Sequence, residues 1–180
     1  MRTIGLRRLV GLDQLRPEAP RKSAADTTTE TVLLLVAAVV FIDGLIHIGA
    51  AVDHYREFPL YTLVFAVLAT VQMSWAAMIL RRPSRPVLLS GCAFTVSVVG
   101  LWVASRTIGV PIAPQAWVPE TVGVADLVET VGEIATVVAV MSLVMSPRRR
   151  FARHVSEYIV PPLVVVLLLS VLYGVGAHAG

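Results

Sequence analysis

The sequence predicts an all-α integral membrane protein, a bundle of five transmembrane helices, and three observations carry that prediction. The 180 residues are 56% hydrophobic and 15% charged, with a mean hydropathy of +0.77, far more apolar than an average soluble domain. The apolar residues gather into five blocks, each long enough at about 1.5 Å per residue to cross about 30 Å of hydrocarbon. The charges lie mostly between the blocks, where basic residues mark membrane topology rather than a nucleic-acid surface. The single cysteine, Cys92, falls inside a block, which excludes a disulfide within one chain and a CxxC metal motif.

Residues 1–30 form a basic N-terminal segment. Leu6, Leu9, Val10 and Leu15 are spaced for a short interfacial helix there, which Pro17 and Pro20 would end early. Thr27 and Glu30 have capping-box spacing ahead of the first span, about 31–52. Pro59 opens the second span, about 59–80, and the basic turn Arg81-Arg82-Pro83-Ser84-Arg85-Pro86 leads to the third, about 87–105. The longest connection, Arg106 to Glu120, carries Pro111, Pro114, Pro119 and Trp117. The fourth span, about 121–145, stops at Pro147 and three arginines, and a fifth, about 157–175, continues past Pro161-Pro162 ahead of the tail 177–180. The membrane domain is thus 31–176.

Thirteen of the fifteen Lys and Arg residues fall in the N-terminal segment and the turns at 81–85 and 148–153, leaving Arg56 and Arg106 on the other side. The positive-inside rule then places the N-terminus in the cytoplasm and the C-terminus outside, in a multi-pass protein of the inner (cytoplasmic) membrane.

Two apolar spans are interrupted by ionisable residues, and each interruption keeps to one helix face. Asp43, His47 and His54 fall within roughly 40° of arc on the first span; Asp126, Glu129 and Glu133 fall within about 60° on the fourth. Measured from the outer surface, His54 is at the boundary, with His47 roughly 8 Å and Asp43 roughly 14 Å deep. Asp126, Glu129 and Glu133 are roughly 8, 12 and 18 Å deep, so the two stripes can meet across a helix interface. Each ionised side chain costs about 2.5–3.5 kcal/mol near the middle of a span. Four carboxylates against His47, His54 and Arg106 leave surplus negative charge, which either protons or a bound cation must neutralise.

The expectation ranked first is a transition-metal site with a redox or metal-handling role, drawing its ligands from Asp43, His47, His54, Asp126, Glu129 and Glu133. Carboxylates and imidazoles spaced three and four apart let one helix offer two ligands to one ion. Asp43, His47, Glu129 and Glu133 are the foremost candidates, with Arg106 as counter-charge. Haem is not expected, since His47 and His54 share one helix and His154 falls in a cytoplasmic turn. The alternative is a membrane-embedded acid/base enzyme acting on a lipophilic, isoprenoid-like substrate, in which Glu133 is the acid and Asp43 its partner. A third reading is a non-catalytic subunit of a larger membrane complex, in which Asp126–Arg106 and His47–Glu129 are packing pairs. The expected partners are the lipid bilayer and either a second copy or a larger complex, with no nucleic acid.

Overall fold

The computed structural model describes residues 24–56, 58–112, 115–145, 157–158, 160–165 and 168–169. Among them there is no strand, and four helices are long and apolar enough to cross a membrane. These are α1 (Ala24–Asp53), α2 (Pro59–Arg81), α3 (Arg85–Thr107) and α4 (Val124–Met145). The fifth predicted span is helical where it is described, at 157–158, 160–165 and 168–169; the rest of it, the interfacial helix of the N-terminal segment, and His154 and His178 lie outside the described residues.

Proline and the chain reversals set the helix ends. Pro59 occupies the first residue of α2, where its missing N–H has no intrahelical partner to lose. The helix closes with the Arg82 N–H donating to the Met78 carbonyl at 2.8 Å, just ahead of Pro83. Ser84 then caps α3, its carbonyl accepting from the Leu88 N–H at 3.0 Å. One expectation is corrected: Thr27 is not an N-cap, because α1 already runs from Ala24. Its carbonyl instead accepts the Thr31 hydroxyl at 3.0 Å. The helix-forming pattern extends about two turns upstream of the purely apolar block.

The helices pack in the order α2–α1–α4–α3, and α2 and α3 also meet, least of the touching pairs. Two glycines permit the closest approaches. A Cβ on Gly44 would lie 2.7 Å from Met73 Cγ, so Gly44 lets α2 settle against α1. At Gly91 a Cβ would lie 1.7 Å from Trp75 Cε2, so the Trp75 indole fills the space where a side chain would stand. Its Nε1 donates to the Val87 carbonyl at 2.9 Å.

Around that contact lies the apolar core: Val36 and Val40 from α1, Trp75 and Ile79 from α2, Leu88 and Cys92 from α3, Val140 from α4 and Leu163 beyond. The outer faces are apolar too. Leu34, Leu63, Leu80, Val96 and Val138 are each more than half exposed, on all four helices. So much contiguous apolar surface is a liability in water and the normal exterior of a chain in lipid.

Candidate functional site

The polar residues occupy the other half of the bundle, toward the α1–α2 turn and the 108–123 loop. They fall into two groups, and the sequence stripes cut across both.

The first group ties the loop to the helix ends. Arg106, in the last turn of α3, donates through Nη2 to Asp126 Oδ2 at 2.7 Å and through Nη1 to Glu120 and to Ser105 Oγ. Tyr61 of α2 donates its hydroxyl to Glu120 Oε1 at 2.6 Å, and the Glu120 N–H donates to the Ser105 carbonyl at 3.0 Å. The Gly123 N–H donates to Asp126 Oδ2 at 3.0 Å, fixing the start of α4. One guanidinium thus bridges two carboxylates on the loop side of α4, in a geometry suited to the planar fork of arginine. Within the loop, Gly109 takes φ 74°, and a Cβ there would lie 2.5 Å from the Trp117 carbonyl carbon. Trp117 also takes a left-handed φ of 64°, held by its N–H donating to the Val110 carbonyl at 3.1 Å.

The second group is deeper. Asp43, His47, Gln72 and Glu133 are 1%, 4%, 2% and 2% exposed. His47 Nε2 lies 3.0 Å from Glu129 Oε1, but off the hydrogen-bond direction, so neither His47 nitrogen has a hydrogen-bond partner among the described residues. Gln72 of α2 donates through Nε2 to Glu133 Oε1 at 3.2 Å. Asp43 interacts electrostatically with Glu133 and with Glu129. Its Oδ1, together with Gln72 Oε1 and Thr136 Oγ1, is buried without a partner among the described residues. Unmade hydrogen bonds of this kind cost about 1–3 kcal/mol each in a water-poor interior.

His54, half-buried just past α1, stacks on Phe65 with centroids 5.5 Å apart, and the His47 ring lies 5.7 Å from the same ring. Phe65 therefore packs against both imidazoles.

Of the predicted site residues, Asp43, His47, Glu129 and Glu133 are brought into one neighbourhood, whereas Asp126 belongs to the Arg106 group and His54 stacks on Phe65 past the end of α1. Among the described residues, no three His, Cys, Asp or Glu side chains come together in a group able to hold a metal ion. Gln72, Thr136, Tyr61 and Glu120 were not singled out as site residues. Gln72 was detectable: thirteen residues after Pro59, it lies about 20 Å along α2, close to the depth of Glu133. Both pairs expected under the packing reading, Asp126–Arg106 and His47–Glu129, are present. They leave Asp43 and Glu133 unaccounted for.

No protein-family model, curated protein or solved structure matches the chain.

Proposed function

We propose that this multi-pass membrane protein is an intramembrane proton acceptor and donor, with Asp43 and Glu133 holding a proton between them in the outer half of the bilayer. The observation that carries the proposal is a pair of almost wholly buried carboxyls on two helices packed against each other, with no cationic partner among the described residues. Two bare carboxylates in an apolar interior repel and are unsolvated; one bound proton removes a charge and turns an acceptor into a donor. Gln72 supports this by donating to one Glu133 oxygen, leaving the other oxygen and the partnerless Asp43 Oδ1 for the exchanged proton. His47, beside Glu129, is the neighbouring base through which a proton can leave.

Infrared spectra of the protein in lipid vesicles test this. A protonated-carboxyl band that shifts in deuterium oxide is expected, reduced by Asp43→Asn and by Glu133→Gln. Unchanged spectra in both variants would exclude the pair. Conversion of an isoprenoid-like lipid, lost in Glu133→Gln, would identify the proton's acceptor and make the chain an acid/base enzyme.

A second reading keeps a transition-metal ion at Asp43, His47, Glu129 and Glu133, favoured by the partnerless atoms on Asp43 and His47. It ranks below the proton because those residues do not form a metal-holding group. Elemental analysis of chelator-free protein separates the two: stoichiometric metal, lost in His47→Ala, would replace the proton reading. Metal-free protein that lacks the carboxyl band and co-purifies with a larger complex would leave the subunit role.

A further inference from the structure

A groove of about 660 Å³ runs between α1 and α2 on a different face of α1 from the buried carboxyls. This volume is within the range of about 300–1,000 Å³ typical of small-molecule sites. Ile48 and Ala51 of α1 and Ala66, Ala69 and Met73 of α2 form its walls. Small residues on both helices leave the space open. Along α2 its lining runs from Thr62 to Met73, about 17 Å at 1.5 Å per residue. Half of a hydrocarbon core of about 30 Å is shorter than that, so the groove can take a chain through a whole leaflet.

Its open end is polar. Asp53 and Arg56, both exposed, flank the mouth with opposite charges, and no ion pair joins them among the described residues. About one turn below the mouth, Thr62 lines the groove, its hydroxyl oxygen buried. From the surface inward, the lining offers an anion and a cation, then a mostly apolar wall.

We propose that the groove binds one phospholipid with an amine–phosphate headgroup. The ammonium faces Asp53, the phosphate faces Arg56, and one acyl chain lies along Ala66 and Ala69. A zwitterionic head matches the paired rim charges, whereas an anionic lipid would set its net charge against Asp53. The lipid site is independent of the proton-binding pair.

To test it, the full chain is purified in mild detergent, washed free of bulk lipid and incubated with mixed micelles of phosphatidylethanolamine and phosphatidylglycerol. Bound lipid is then counted by native mass spectrometry. One phosphatidylethanolamine per chain is expected. Occupancy should fall at least tenfold in Ala66→Trp and in Ala69→Leu, which fill the groove, with helix content checked by circular dichroism. It should fall several-fold in the surface variants Asp53→Asn and Arg56→Gln, which report on the rim even if a filled groove disturbs folding. Equal occupancy in all four variants would overturn the proposal, as would preferential binding of phosphatidylglycerol. A lipid-free chain that self-associates, and becomes monomeric in Ala66→Trp, would show that a second copy covers the groove.

Discussion

Two pairs of acids lie within one half of this bundle and are handled in opposite ways. Glu120 and Asp126 share a single guanidinium, receive further hydrogen bonds from Tyr61 and Gly123, and keep about a third of their side-chain surface exposed. Asp43 and Glu133 are almost wholly buried and have one amide donor, Gln72, between them. The difference teaches that acidity in a membrane helix has no single meaning. The first pair is a fastening whose charges are satisfied where they stand. The second has one amide donor and no cation among the described residues, and under the proposed function a bound proton completes it.

The comparison breaks most readily at Arg106. Arg106→Gln removes the positive charge and strands both partners, and we expect a loss of about 2–3 kcal/mol in unfolding free energy, discounted for their partial exposure. Reversible unfolding of detergent-solubilised protein would measure it; a loss below about 0.5 kcal/mol would mean that the loop is not fastened here. Tyr61→Phe deletes one hydrogen bond to Glu120 and should cost about 1 kcal/mol by the same measurement. Glu133→Gln should change stability by less than about 1 kcal/mol in either direction, because it removes an uncompensated acid while keeping its shape. A loss as large as that of Arg106→Gln would show that Glu133 is a structural anion. The finest test is a double-mutant cycle of Asp43→Asn and Glu133→Gln in the infrared and unfolding measurements. Groups that share a proton should couple by at least about 0.5 kcal/mol, and strictly additive effects would part them.

Most of the scaffold was legible because its signals are local. The second and third spans, expected at 59–80 and 87–105, are helices Pro59–Arg81 and Arg85–Thr107, since proline and the basic turn fix their ends within a short stretch of chain. The first helix starts upstream of the block, at Ala24, because polar residues such as Thr27 and Glu30 can continue a helix that hydropathy alone would end. Within the site, period and depth brought Asp43, His47, Glu129 and Glu133 together. Asp126 stood behind them and was paired with Arg106 only under the packing reading, because which acid Arg106 selects is decided by packing. Nor did period and depth reveal Phe65, an apolar residue whose ring packs against both imidazoles.

The contact of Trp75 with Gly91 has a mechanical consequence. It joins α2 and α3 near their shared turn, while toward the far end these two helices have little in common except the Tyr61–Glu120–Arg106 fastening. Such a pair is tied at its two ends and open between: α2 rests along α1 and α3 along α4, so the two ties carry what direct contact the pair has, and Gln72, with its hold on Glu133, lies on the α2 side of the gap.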